Sequence, residues 1–364
     1  DVLHTLNAFK LMGVKIEENN KNLIIYGKGL NSLKKSTNEI YLGNSGTSAR
    51  LLTGLLAAQN FNSILTGDSS LSKRPMKRIS EPLVKMNAII ETTNGNLPIT
   101  IHKSNLEAKK IELEIPSAQI KSGLMLASLN IPGETVIIEN KVTRDHTEIM
   151  LQAFGADIDI KKMDNKKLIK IIGQKELISK NIDVPNDLSS SAFFIVAALI
   201  NYNSQIKLKN INYNPTRNGL ILALKKMGAN IELLNQRTIN NENICDIDVA
   251  YSELNGCELG VEFADLMIDE YPILAVAAAF AKSPSIFRGL KELRVKESDR
   301  LKLILLNLQN CGVDCREDNN DLYIFPRNNY QIKENIIQTD FDHRIAMAFG
   351  VMGTKIGPLE IKDS

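Results

Sequence analysis

One pattern recurs along this chain and constrains its fold more than any other feature: an amphipathic helix, a tight stop, then a short strand of alternating apolar residues. Copies run from Leu6 to Ile16 around Gly13, Leu83 to Ile90 around Asn87, Met150 to Ile158 around Gly155, Ile221 to Ile231 around Gly228, and Leu303 to Val313 around Gly312. Glycine or asparagine at the stop has a geometric reason, because the residue after a helix often turns left-handed, a conformation that costs other residues more. Successive stops lie 74, 68, 73 and 84 residues apart. Common solenoid repeats run roughly 20–50 residues, so the spacing predicts several copies of a mixed αβ unit, not a rod. Stretches of β character, Asn22 to Tyr26, Leu97 to Ile101, Leu168 to Ile172 and Ser204 to Leu208, lie between the stops. The expected class is α/β (α+β) built by duplication.

At about 100 to 200 residues per domain, 364 residues suggest two domains, or three. The segment Asp183, Pro185, Asp187 interrupts the pattern between a strand and a strongly apolar helix, which predicts domains 1–184 and 185–364. With 43% hydrophobic and 24% charged residues the chain is neither disordered nor fibrous. Its 44 Lys and Arg against 42 Asp and Glu leave +2, without the electrostatic footprint of a partner for nucleic acid or an anionic membrane. The longest apolar runs, Ala192 to Ile200 and Tyr271 to Ala281, are about half of the roughly 20 residues that cross a bilayer, and read as core. No secretory leader opens the chain, so a cytoplasmic location is expected. Cys245, Cys257, Cys311 and Cys315 form no CxxC pair and no ligand spacing with the four histidines, which predicts free thiols and no metal. Asp1 reads as the N-cap of a helix carrying Val2, Leu6, Phe9 and Leu11, and Leu359 to Ile361 as a strand without a closing element. Truncation at both ends is the expectation.

Seven clusters carry groups able to do chemistry. Gly43-Asn44-Ser45-Gly46-Thr47-Ser48-Ala49-Arg50 opens an apolar helix, leaving backbone N–H groups free for an anion or making a plain capped turn; it lacks the Lys-Ser/Thr ending of a nucleotide P-loop. Lys73-Arg74-Pro75-Met76-Lys77-Arg78 is either a solvated face or a cationic site, and Pro75 holds Arg74 out of helical geometry. Pro116-Ser117-Ala118-Gln119-Ile120-Lys121-Ser122 crowds polar groups where an apolar helix begins, and Arg144-Asp145-His146-Thr147-Glu148 opens another; both also read as helix caps. Asp269-Glu270-Tyr271-Pro272 sets two carboxylates before a hydrophobic helix, where desolvation raises a pKa, or an N-cap pair suffices. In Arg294 to Arg300, a helix would put Lys296 and Arg300 on one face with Glu297 beside them, or the run is a salt-bridged surface turn. Asp340 and Asp342-His343-Arg344 precede the small apolar stretch Ile345 to Phe349. Together the clusters set Arg or Lys with carboxylates at helix starts in both halves, which points to polyanionic small molecules gripped by Arg74, Arg300 and Arg344.

These clusters resemble the 5-enolpyruvylshikimate-3-phosphate synthase family. The motifs that carry the resemblance are GNSGTSAR at 43–50, GDSSLSKRPMKR at 67–78, SAQIKSG at 117–123, RDHTE at 144–148, NPTR at 214–217, DEYP at 269–272, LRVKESDRL at 293–301 and DHRIAMAF at 342–349. They stand in family order over nearly the whole chain, and RDHTE, SAQIK and NPTR are similar to the class II branch. The resemblance implies an enolpyruvyl transferase-like fold: two similar domains of repeated βαβαββ units with hinge closure over an interdomain cleft. It implies transfer of the enolpyruvyl group of phosphoenolpyruvate to the 5-hydroxyl of shikimate 3-phosphate, with no metal or organic cofactor, no nucleic acid or membrane partner, and a monomer.

Carried over by motif, Gly46, Arg74, Gln119, Arg300 and Arg344 would contact phosphoenolpyruvate. Ser117, Ala118, Gln119, Arg144, Asp269 and Lys296 would hold shikimate 3-phosphate, with Asn44 and His343 in support. The reaction delivers a proton to the methylene carbon and removes one from the hydroxyl, which suits a carboxylate pair, Glu297 and Asp269. The family's N-terminal lysine-serine-arginine motif is not in the chain and is expected upstream of Asp1. The rivals are the sister transferase acting on UDP-N-acetylglucosamine, which uses a loop cysteine that none of the four cysteines matches, and a non-catalytic anion-binding remnant.

Overall fold

In the computed structural model, which describes residues 1–20, 22–163, 166–327 and 329–363, every stop of the recurring pattern is left-handed. The φ angles are 84° at Gly13, 71° at Asn87, 78° at Gly155, 88° at Gly228 and 84° at Gly312. At each of them the chain leaves a helix and enters a hairpin. The residues fall into two compact units, Asp1–Ile182 and Asp183–Ser364.

The first unit opens with α1 (Val2–Leu11) and the hairpin β1 (Lys15–Asn19) and β2 (Asn22–Tyr26). A full copy follows: β3 (Ile40–Tyr41), α2 (Gly46–Ala57), β4 (Ser63–Thr66), α3 (Lys77–Lys85), β5 (Ile89–Thr93) and β6 (Asn96–His102). The next copy repeats it with β7 (Lys110–Leu113), α4 (Ala118–Leu129), β8 (Glu134–Glu139), α5 (His146–Ala153), β9 (Asp157–Met163) and β10 (Lys166–Ile172). Their sheets have the same order, β3-β4-β6-β5 and β7-β8-β10-β9, with the first two strands parallel and the other pairs antiparallel.

The second unit begins with α6 (Leu188–Ile200), β11 (Gln205–Asn212), α7 (Gly219–Lys226), β12 (Asn230–Ile239) and β13 (Glu242–Ala250). Here the leading strand shrinks to a parallel bridge from Asn186 to Ile211. The next copy is β14 (Glu258–Leu259), α8 (Glu262–Met267), α9 (Tyr271–Ala279), β15 (Ser285–Phe287), α10 (Arg300–Asn310), β16 (Asp314–Asp318) and β17 (Asp321–Phe325), ordered β14-β15-β17-β16. Parallel β18 (Ile336–Ile337) and β19 (Glu360–Ile361) flank α11 (His343–Ile356).

Each unit has its own core. Leu52, Leu56, Ile79, Leu124 and Ile169 are among the buried residues of the first, and Ile195, Leu224, Ile273 and Leu308 of the second. All nine residues of α9 are buried, as a helix apolar on every side requires. Cys245, Cys257, Cys311 and Cys315 are free and buried in the second core, where burial pushes the first two thiols up to about 11 and the last two to about 12. Among the described residues no helix is long and apolar enough to cross a membrane.

Candidate active site

In the first unit, α2 and α4 cross at glycines because nothing larger fits. A Cβ on Gly54 would lie 1.9 Å from the Gly123 carbonyl oxygen, and one on Gly123 would lie 2.8 Å from that of Arg50. Ser45 caps α2 by accepting from the Ser48 amide, and Ser117 caps α4 by accepting from the Ile120 amide. The crossing lets the two first turns interlock: Arg50 Nη1 donates to Gln119 Oε1 at 2.8 Å, and Gln119 Nε2 donates to Thr47 Oγ1 at 2.8 Å. Arg50 also donates to the carbonyls of Gly46 and Pro75, each at 3.2 Å.

Arg74 has extended backbone, φ −78° and ψ 140°, as its place before Pro75 dictates. Its Nη2 donates to Asn44 Oδ1. A Cβ on Gly46 would lie 2.9 Å from Nη1 of both Arg50 and Arg74, so the glycine leaves room for two guanidiniums at the start of a helix. Asn44, Gly46, Arg74 and Gln119 are thus brought together. Ser117 and Ala118 open α4, and Arg144 stands two residues before α5, half-buried. Helix N-termini beside guanidiniums are suited to phosphate and carboxylate groups.

In the second unit the set gathers around one guanidinium. Arg300, first residue of α10 and 1% exposed, donates Nη1 to Asp269 Oδ1 at 3.0 Å, Nη2 to Glu297 Oε2 at 2.5 Å and Nε to Asp342 Oδ2 at 2.8 Å. Lys296 Nζ lies 3.1 Å from the same Asp269 oxygen. Arg344 Nη1 donates to the Asp269 carbonyl at 3.1 Å and lies 3.8 Å from Glu270 Oε1, while Glu270 also accepts from Ser189 Oγ on α6. His343 stands exposed beside Arg344. Burial alone would raise the Asp342 carboxyl, but the charge and hydrogen bonds of Arg300 outweigh it and hold that group below the ordinary carboxylate range.

Of the two local structures open to this run, a helix through Lys296 and Arg300 or a salt-bridged turn, the chain adopts the turn: α10 starts only at Arg300, because Asp299 takes the N-cap and accepts from the Lys302 amide at 3.0 Å. Lys296, with φ −82° and ψ −148°, is extended. The two cations meet through Asp269 and not along a shared helix face.

Arg50, Asp342 and Glu270 belong to these sets; they stood inside the sequence clusters, but no ligand role was carried over to them. Arg50 had a signal, since it stands one turn after Gly46 on the same helix face. Asp342 reads locally as the cap of α11, and nothing in the sequence joins it to Arg300, 42 residues away.

Comparison with known proteins agrees with these features. The family described as EPSP synthase (3-phosphoshikimate 1-carboxyvinyltransferase) matches residues 1–364. The 3-phosphoshikimate 1-carboxyvinyltransferase of Vesicomyosocius okutanii is 45% identical, with 100% of this chain and 83% of that protein covered. The protein of the same name from Pseudomonas sp. strain PG2982 is 44% identical, covering 100% and 82%. Among solved structures, EPSP synthase from Acinetobacter baumannii superposes with a TM-score of 0.85 at 42% identity over 99% of this chain and 83% of that one. With a whole-length family match, close relatives and the shared fold in agreement, the chain belongs to the EPSP synthase family.

Proposed function

We propose that the two residue sets divide the work of the family reaction: the first recognises anionic groups, and the second also moves protons. The reaction is transfer of the enolpyruvyl group of phosphoenolpyruvate to the 5-hydroxyl of shikimate 3-phosphate, with release of phosphate, a step of the shikimate pathway. Ser117, Ala118, Gln119, Arg144, Asp269 and Lys296 hold shikimate 3-phosphate. Gly46, Arg74, Gln119, Arg300 and Arg344 take phosphoenolpyruvate, with Asn44 and His343 in support. Residues 1–184 and 185–364 form the two domains.

The observation that carries the proton-transfer reading is the placing of Asp269 and Glu297 on one buried guanidinium, at 3.0 and 2.5 Å. A substrate carboxylate that takes a share of Arg300 competes with Glu297 for it and loosens that carboxyl group. Freed from the guanidinium, Glu297 takes up a proton from water and delivers it to the methylene carbon of phosphoenolpyruvate, while Asp269, held by Lys296, receives the proton of the attacking 5-hydroxyl. One methyl proton then returns to Glu297 as the double bond re-forms, and phosphate leaves with the proton held by Asp269, which completes the transfer.

The test is phosphate release from phosphoenolpyruvate with shikimate 3-phosphate, with UDP-N-acetylglucosamine as the control acceptor. Release that requires shikimate 3-phosphate is expected, and release with the nucleotide sugar alone would overturn the assignment. We also infer a cytoplasmic location, supported by the free, buried thiols, and a monomer, which rests on the family resemblance alone. Light scattering on the eluting protein gives about the monomer mass of 40.5 kDa if this is right.

A further inference from the structure

Four charged side chains are buried together in the first unit. Lys121 of α4 lies 3.0 Å from Glu139 Oε2 of β8 and 2.8 Å from Glu148 Oε1 of α5. Lys167 of β10 lies 2.8 Å from the same Glu148 oxygen and 3.9 Å from Asp145, the residue after Arg144. None of the four side chains is more than 2% exposed. Thr143, the residue before Arg144, donates its hydroxyl to Glu139. A neutral tie runs beside the charges, with Ser122 Oγ and Thr147 Oγ1 2.6 Å apart. These contacts tie the N-terminal part of α4 and the segment leading into α5 to the sheet or to each other.

The fold does not require charge at these positions, as its own duplication demonstrates. Four residues after the helix cap, where α4 has Lys121, the helices α2, α6 and α11 have Ala49, Ser191 and Ala346. Seven residues before the left-handed stop, where this copy has Glu148, the others have Leu6, Ser80, Ile221 and Leu305. Glu139 and Lys167 are cross-strand partners, and the matching pair in the β14-β15-β17-β16 sheet is the buried apolar Phe287 and Leu322. Packing alone is therefore met by uncharged residues elsewhere. Burying charges is costly even when they are paired, and Glu148 Oε2 is left without a hydrogen-bond partner here. Directed ionic bonds supply a fixed relative placement of two helix starts, which apolar contacts specify less sharply.

We propose that Lys121, Glu139, Glu148 and Lys167 are positioning residues for shikimate 3-phosphate: the buried network fixes the starts of α4 and α5, and through them Ser117, Gln119 and Arg144. This rests on the reading above that those three residues bind that substrate. None of the four touches the ligand.

The experiment measures shikimate 3-phosphate binding by isothermal titration, alongside thermal unfolding, in the full chain. Glu148→Gln, and the milder Thr147→Val should the first fold poorly, weaken binding. A misplacement on the ångström scale predicts a loss of about 10- to 100-fold for Glu148→Gln. The deciding variant is the apolar replacement of all four, Lys121→Met, Glu139→Leu, Glu148→Leu and Lys167→Met, because removing a whole buried network can preserve stability. Wild-type melting with binding still weakened supports positioning, and wild-type melting with wild-type binding overturns it. Unchanged binding in a well-folded Glu148→Gln or Thr147→Val also overturns it. Arg144→Met separates the two layers: if it leaves binding unchanged, the assignment of the ligand contacts falls and the inference with it. If Arg144→Met weakens binding and the network variants do not, only the inference falls.

Discussion

Two residues of the second set can be separated by role. Glu297→Gln keeps the shape and removes the transferable proton, so ligand binding should persist while turnover falls about 10²- to 10⁴-fold; single-turnover kinetics beside titration checks both halves, and unchanged turnover removes Glu297 from the mechanism. Asp342 acts through Arg300, whose Nε it fixes at 2.8 Å, and caps α11 by accepting from the Arg344 amide at 3.0 Å. Because its carboxyl is held below the ordinary value in the folded protein, the stability it contributes is full above the unfolded-state pKa of about 3.9 and is lost as pH falls through the folded value. Asp342→Asn should cost about 3 kcal/mol near neutrality, since it takes the charge from one partner of a buried pair. Urea unfolding at a series of pH values should find this gap shrinking below about pH 4. Arg300 and Glu297 were visible in the sequence as members of a charged run. The pairing of Arg300 with Asp269 and Asp342 was not, because it joins positions 31 and 42 residues apart with no local pattern between them.

At the scale of elements, the helix stops were legible and the helix crossings were not. Gly13, Asn87, Gly155, Gly228 and Gly312 announce themselves because a left-handed residue restricts the choice of side chain. The caps Ser45, Ser117 and Asp342 likewise write their role into the local sequence. Asp299 stands in a charged run whose sequence allows a helix or a turn, and only the α10 start shows it to be a cap. Gly54 and Gly123 give no local sign of their purpose, because both have helical neighbours and only the approach of α2 to α4 explains them. Gly54→Ala would force its Cβ onto a backbone carbonyl that has no rotamer to change. It should destabilise the chain by about 1–3 kcal/mol or more. The Arg50 to Gln119 contact should open with it, so calorimetry and the KM for phosphoenolpyruvate should shift together; a lower melting temperature with an unchanged KM would show that the first turns hold their places without the crossing.

For the whole molecule, repeat number and class could be read from spacing alone, whereas the strand orders, such as β7-β8-β10-β9, depend on tertiary pairing that periodicity does not encode. The two cores share no residue. Leu56→Ala in the first and Leu308→Ala in the second each remove a buried side chain at about 2–5 kcal/mol, and each should weaken its own core. The four thiols make that difference measurable without a label. All of them lie after residue 182, beneath a surface that keeps them protonated and out of reach at neutral pH. An alkylating reagent therefore reads time in the second unit only: Leu308→Ala should speed modification and Leu56→Ala should leave its rate near that of the parent chain, a built-in stopwatch that runs for one half of the protein and is blind to the other.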